Sequence, residues 1–485
     1  MPINLNFFFT LFVILLLLND FAIPIFVGKP VIISVSTIMA YICFLLILIL
    51  NCKTFINETI KTILNKKNSF NWFLIFVSYV IIITIIHALL GKTSYLSILL
   101  VILQYLGSLT LAYTVLIYMS NKIMTPKNLL KIFYCTFYII MLWGIVDFLA
   151  FTFHIAILQK IIPCFCNVAL LRDVGFDKAY SLGLPRVQSV YFEPGFFAEY
   201  IFFFMPILYS LATSKFKIFD NIVLNKIIKI STIPLIWINL ILTQSPIWLV
   251  FGVITTIGFF GYRIFKSLDL KKVIIAIITF FILGMSCILT IQSTNLKSTY
   301  LGRVIAVTEN FNDINKLIIA ERSLGVRLAH MLNLINIGMR TPFFGAGHSN
   351  LVPLLSKQFL EGKSVVFADG DATKMVFSKN PSIHNPPITN IFVRYGGVGL
   401  IFYYFFIFKT IFALKRQYNK LKDSLLRDFI FGLMLSVTSY IILSCYDMTI
   451  GHLICVFVIG ISIGIIQRID TRNLKKEGKQ CLKYQ

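Results

Sequence analysis

A long polar stretch ends in Ser382-Ile383-His384-Asn385-Pro386-Pro387, directly before the apolar run 388–408. Histidine titrates near neutrality, so His384 is suited to taking a proton from a hydroxyl group. Asn385 is a good N-cap residue, and proline fits a first helical position because its missing N–H costs nothing there. The spacing predicts a membrane helix beginning at Pro386 with His384 at its mouth. Unpaired N–H groups and the positive dipole end would make that mouth an anion site. A second start of this kind lies in Arg186-Val187-Gln188-Ser189-Val190-Tyr191-Phe192-Glu193-Pro194-Gly195, where Pro194 takes the first helical position and Glu193 the helix mouth. Alone, Glu193 also reads as a helix-dipole cap and Arg186 as an interfacial anchor. Two such starts facing one compartment point to function.

Arginines supply the complementary chemistry. Arg172, Arg186, Arg303, Arg322, Arg327 and Arg340 fall on the same predicted side. Guanidinium groups grip a diphosphate through paired N–H donors and stay charged at any working pH. Residues 321–340 have helical periodicity: Leu324, Leu328, Met331, Leu332, Ile335 and Met339 form one apolar stripe, with Arg322, His330, Asn333 and Arg340 away from it. The pattern predicts a helix lying along the membrane surface. Arg327 is at the edge of the stripe, three residues before His330, so the two project close together. Thr341-Pro342 stops this helix and Gly345-Ala346-Gly347 turns the chain. His330, Asn385, Arg340 and Asp447 are secondary candidates, and His348 lies in a less constrained context. Asp147 and Arg394 sit inside apolar runs, where a charge faces a cavity or a partner, and His452 flanks an outer turn with Asp447. Asp369-Gly370-Asp371 lies in a Gly-rich polar loop and is assigned no metal.

The elements that position these groups are membrane helices. With 58% hydrophobic and 13% charged residues and a mean hydropathy of +0.85, the composition excludes a soluble protein. Runs of about 20 apolar residues recur, each long enough for a ~30 Å hydrocarbon core. Helices satisfy their own backbone groups in lipid, and the strict alternation of barrel strands is absent. The first apolar run lacks a basic flank and a cleavage site, and reads as a retained helix. The net charge of +24 sits mostly in short loops between spans, which argues for the positive-inside pattern and against nucleic acid. Most of the nine cysteines lie within apolar runs, and the Cys164/Cys166 spacing is poor for a disulfide or zinc.

The expected spans are 5–27, 31–51, 71–90, 95–119, 132–158, 191–213, 231–243, 246–261, 273–291, 388–408, 429–446 and 453–467. About twelve spans with both termini cytoplasmic place every basic loop on one side. The seventh and eighth runs are short and separated by Thr243-Gln244-Ser245-Pro246, which predicts a broken hairpin over 231–261 lining a cavity. Residues 1–291 thus carry nine helices and 292–387 form the large outer loop. Residues 388–467 supply three more helices, and 468–485 a basic tail. A loop as long as 292–387 is functional or folded in its own right.

At these residues the chain resembles the O-antigen polymerase and O-antigen ligase superfamily. The matching stretches are RVQSVYFEPGFFAEY, LTQSPIW, RLAHMLNLINIGMRTPFFGAGHSN and HNPPITNIFVRYGGVGLIF, about a sixth of the chain, in the family's order and sidedness. The hairpin departs from the family's usual Ser-Arg in having Ser245-Pro246. The resemblance implies an all-α, polytopic GT-C-like glycosyltransferase of the bacterial inner membrane that is metal-independent and needs no cofactor. It makes Arg186 and Arg327 ligands of an undecaprenyl diphosphate, and Arg322 and Arg303, from the outer-face arginines, are further diphosphate-binding candidates. It makes His384 the acceptor-side base or orienter; Glu193, from its place at the other helix mouth, is the second catalytic candidate. The Arg-Val-Gln-Ser…Glu-Pro form is more like polymerases than ligases. The expected activity is transfer of a growing lipid-linked glycan onto the next undecaprenyl-diphosphate-linked repeat unit at the periplasmic face. The implied partners are those repeat units, membrane lipid and a separate chain-length regulator. A ligase that caps lipid A core is the nearest alternative. A flippase is the alternative from another class, and the long outer loop and lack of internal repeats count against it. The polymerase reading requires Arg186, Arg327 and His384 to reach one pyrophosphate.

Overall fold

The computed structural model describes residues 5–18, 35–65, 68–165, 180–181, 184–191, 193–266, 309–310, 312–313, 316, 322–348, 351–364, 370–379, 381, 383–422, 425–446 and 453–481. Almost everything described is helical, and among the described residues nine helices are long and apolar enough to cross a membrane. The chain is an all-α, polytopic protein of membrane type. The expected span 273–291 lies outside the described residues, as do parts of 5–27 and 31–51.

Two units, each built from separated stretches of chain, divide the fold. One comprises Met1–Ile47, Pro126–Thr308 and Asp423–Ser436; the other comprises Leu48–Thr125, Glu309–Lys422 and Val437–Gln485. The helix α1 (Leu5–Leu17) belongs to the first unit, while α2 (Val35–Leu64) runs from the first into the second. Lys53 and Lys61, expected in a loop, are helical residues of α2, which bends at Asn51. An apolar run can continue into a basic turn because lysine is itself a good helix former.

In the first unit, α5 (Pro126–Thr152) is followed by the short α6 (Ala156–Ile161) and a two-residue antiparallel pair, β1 (Tyr180–Ser181) with β2 (Leu184–Pro185). Its centre is α7 (Pro194–Ala212), buried along nearly its whole length. Pro194 is the first helical residue, as the sequence predicts. The next two helices, α8 (Ile222–Leu242) and α9 (Pro246–Lys266), pack on α7. They break at Thr243 to Ser245, with Gln244 at φ +50°. Neither is short: each has 21 residues, and α8 begins nine positions before the expected 231. Asn221 supplies the reason, because its side chain accepts the Leu224 N–H and caps an earlier start.

The second unit holds α3 (Phe70–Leu89), α4 (Leu96–Ile123), α10 (Arg322–Gly338), α11 (Leu351–Leu360) and α12 (Gly370–Val376). It also holds α13 (Pro387–Lys420), the second half of α14 (Leu425–Tyr446) and α15 (Leu453–Cys481). Aromatic rings from three helices interlock here: Phe73 against Tyr113 and Phe406, and Phe76 against Tyr105 and Tyr403. Between apolar helices in lipid such packing holds through dispersion and ring geometry, about 0.5–1.5 kcal/mol per pair. The helix α15 approaches α4 closely at Gly464, where any β-carbon would overlap Ser120 and Ile117.

The break in α13 positions the site. At Gly396 the backbone takes φ +71° and ψ −174°, a region that side chains forbid, and the helix kinks. The groups freed by the kink are taken up by the turn 341–347. Ala346 N–H donates to Val393 O (2.7 Å) and Gly347 N–H to Arg394 O (3.1 Å). In return Gly397 N–H donates to Pro342 O (2.7 Å) and Val398 N–H to Phe343 O (3.3 Å). A membrane helix tolerates a break only when the released groups find such partners. The turn after α10 and the break in α13 are therefore one structure.

Candidate functional site

The site grows from α10, which packs along α13. Its buried face carries Leu324, Val326, Ala329, His330, Asn333, Leu334 and Ile337. This departs from the expected orientation: Leu324 is buried and Arg340 exposed as expected, but His330 and Asn333 point inward, and Leu328, Met331, Leu332 and Ile335 are half-buried, with Met339 exposed. The reason is that both polar side chains have internal partners. Asn333 donates to Ala329 O (2.8 Å), and its amide oxygen accepts from Gln358 (3.0 Å) and Ser364 (3.2 Å). Arg340 donates to Gln358 Oε1 at 3.3 Å and so extends this clamp between α10 and α11.

His330 is fully buried, and both ring nitrogens are committed. The backbone N–H of His384 donates to Nδ1 at 3.1 Å, so Nδ1 carries no proton. Nε2 lies 3.0 Å from Ala372 O, which can only accept, so Nε2 carries the hydrogen. The ring is held neutral in one tautomer and ties α10 to α12 and to the segment before α13. His330, a secondary catalytic candidate on sequence grounds, is thereby a positioning residue for His384. The two rings lie 6.0 Å apart at 30°, with the His384 side chain half-buried.

One turn before His330 on the same helix, Arg327 lies over the Tyr446 ring, 5.1 Å from its centroid, and donates to Tyr446 Oη at 3.2 Å. The phenol fixes the guanidinium by cation–π attraction and a hydrogen bond. Residues three apart on a helix have Cβ atoms about 5–6 Å apart, so Arg327 and His330 are neighbours on α10.

The mouth of α13 differs from the sequence expectation by one residue. Pro387 opens the helix, and Pro386, in an extended conformation, occupies the cap position. Asn385 is therefore not the N-cap, and its Oδ1 is buried with no hydrogen-bond partner among the described residues. The second of the tandem prolines explains the shift: Pro387 forces its predecessor, Pro386, out of helical geometry, so the helix opens one position later. Further along α13, Asn390 Oδ1 and Arg394 Nε are likewise buried without partners among the described residues. Four residues apart, they lie on one side of the helix.

His348, which sequence reasoning ranked low, is tightly held. Its Nδ1 is 2.6 Å from the Tyr395 hydroxyl and its ring stacks on Tyr395 at 6.0 Å. Burial, with the Arg394 cation nearby, pushes its pKa down from 6.5 to about 4. The missed signal was the pairing of the two Gly-rich stretches that brings 341–348 onto 393–398.

Arg186 and Glu193 belong to the first unit, Arg327 and His384 to the second. Arg186 donates through Nε to Thr243 O (3.1 Å) and through Nη2 to Ser245 Oγ (3.2 Å). Val187 N–H donates to Leu242 O at 2.9 Å. The guanidinium thus sits on the C-terminal end of α8, where a cation complements the helix dipole, and braces the α8–α9 break. Glu193 occupies the N-cap position of α7, but its side chain makes no capping bond. Asp147, fully buried, accepts the N–H groups of Gln188 (3.0 Å) and Ser189 (3.2 Å). Its charge is met by backbone donors, so it holds the segment that leads into α7.

Arg172, Arg303, Asp369, Asp447 and His452 lie outside the described residues, and the side chains of Arg322 and Asp371 are not described. Among the described residues no group of three or more His, Cys, Asp or Glu is placed to hold a metal ion. No known protein-family model matches the chain, and neither does any curated protein.

Proposed function

We propose that the chain is a membrane polysaccharide polymerase. It would transfer a growing glycan from its undecaprenyl diphosphate to a sugar hydroxyl of the next lipid-linked repeat unit. The observation that carries this reading is the placement of His384. A neutral, buried His330 anchors its backbone at the mouth of the broken helix α13, one helical turn from a guanidinium fixed by Tyr446. The sequence resemblance supplies the substrate class.

In this reading His384 takes the proton of the acceptor hydroxyl as that oxygen bonds to the anomeric carbon of the donor glycan. The bond from that carbon to the diphosphate oxygen breaks, and its electron pair leaves with the diphosphate. Arg327 meets the developing charge, aided by the positive end of α13. Arg186 contributes by holding the α8–α9 break in the other unit. A general base is worth about 10²–10⁴ in rate and a fixed charge partner about 10²–10³. His384→Ala and Arg327→Ala proteins, expressed in a polymer-producing host, are therefore expected to reach the membrane in normal amount yet yield only single-repeat glycans on gels. Full-length ladders from both would remove the chemistry from these residues. Purified protein given lipid-linked repeat units separates polymerase from transporter, because only an enzyme lengthens glycan without a membrane gradient.

A further inference from the structure

The far end of the second unit carries a groove that the proposed reaction does not use. Lys409 is 13 residues beyond the break at Gly396 on α13, about 20 Å further along the helix at a helical rise. There a cavity of about 470 Å³ opens between the start of α3 and the last third of α13. Asn68, Ser69 and Trp72 line one side, and Lys409, Phe412 and Arg416 the other. Positions 409, 412 and 416 share one face of the helix, so two cations flank one exposed ring.

The polar wall is settled within itself. Asn68 Oδ1 accepts the Phe70 N–H (3.1 Å), and Ser69 Oγ accepts from Thr410 Oγ1 (3.0 Å). The first-turn N–H groups of α3 are also taken, Asn71 by Asn68 O and Trp72 by Ser69 O. Recognition therefore falls to the cations. Lys409 Nζ sits 5.1 Å over Phe405, and Phe405 meets Trp72 at a 4.2 Å centroid distance. The Arg416 guanidinium is half-exposed, and its Asp470 neighbour is 3.9 Å away, beyond hydrogen-bonding distance. It keeps donors to spare for an anion.

We infer that this groove binds an anionic phospholipid, with the phosphodiester between Lys409 and Arg416 and an acyl chain along Trp72, Phe405 and Phe412. The aromatic wall is what selects a lipid over a free anion. Free phosphate has no use for rings, whereas Trp and Phe at the headgroup level hold an acyl chain. The volume suits one headgroup, and basic pockets between spans recognise anionic lipid heads.

The test uses the purified full-length protein in neutral detergent, titrated with phosphatidylglycerol, phosphatidylcholine or inorganic phosphate and read by native mass spectrometry and thermal stability. Phosphatidylglycerol is expected to be retained and to raise the melting temperature, with the other two weaker. At about tenfold or less per basic residue near a membrane surface, K409Q/R416Q should weaken retention by roughly 30-fold. K420Q/K422Q, exposed lysines outside the groove, should leave it unchanged. Wild-type protein that holds phosphatidylcholine as well as phosphatidylglycerol would overturn the proposal. So would equal losses in the two double variants, or stabilisation by phosphate alone matching the lipid.

Discussion

His348 shows how a single residue can be set by its surroundings rather than its type. Its ring lies against Tyr395 with Arg394 close by, and burial disfavours the charged form. The folded pKa of about 4 lies below the ordinary 6.5. Between those values the unfolded chain binds a proton that the folded chain refuses, so stability rises with pH across that window and is lost as pH falls through it. We expect the melting temperature of detergent-solubilised protein to drop between pH 6.5 and 4, and His348→Gln to flatten that limb. A His348 ring titrating near 6.5 by NMR would contradict the assignment. His330, by contrast, is neutral because both nitrogens are bound, and it cannot exchange a proton without breaking one of those bonds. Of the three histidines in this stretch, the proposed acid–base role therefore falls to His384.

At the scale of elements, the brace between the 341–347 turn and the α13 break is the feature on which the site depends. A β-carbon at Gly396 would overlap Phe343 O, and its φ of +71° is itself unfavourable for any side chain. At Gly397 the nearest atom, Pro342 O, would be 3.3 Å away, and no positive φ is required there. Gly396→Ala is expected to cost about 3 kcal/mol or more, combining backbone strain with lost hydrogen bonds, against about 1 kcal/mol or less for Gly397→Ala. Thermal unfolding, with limited proteolysis of the 341–347 turn, distinguishes them; equal stabilities would show that the brace does not hold the break. Sequence alone indicated the turn, from Thr341-Pro342 and the glycines, and the helix start, from the prolines. It could not indicate that they meet, because pairing across some 50 residues leaves no local pattern. The inward turn of α10 was hidden for a related reason. An apolar stripe marks a buried face only when the other face finds no partners, and His330 and Asn333 find theirs in α11, α12 and the segment before α13.

For the whole molecule, composition and run length carried the class: long apolar stretches with basic breaks leave helical membrane spans as the solution. Span boundaries were less legible, since helices such as α2 and α8 continue through their lysines once a kink or a cap permits. Beyond its break, α13 runs from Gly397 to Lys420, 24 residues and about 36 Å, more than a hydrocarbon core, so one end must project into the aqueous phase. The segment just before α13 is fixed to α10 through His330, while Lys415, Arg416 and Lys420 crowd its last turns. Basic residues stay on the side from which spans are inserted. A cysteine placed at Lys420 in a protein with its native cysteines replaced should therefore react with an impermeant maleimide only in inverted vesicles. One placed at Lys363, exposed after α11, should react only in intact spheroplasts. Labelling of both from the same side would put the His384 end and the basic end of α13 in one compartment. That result would undo the reading of α13 as a span, and with it the separation of the proposed glycan-facing mouth from the proposed lipid-binding groove.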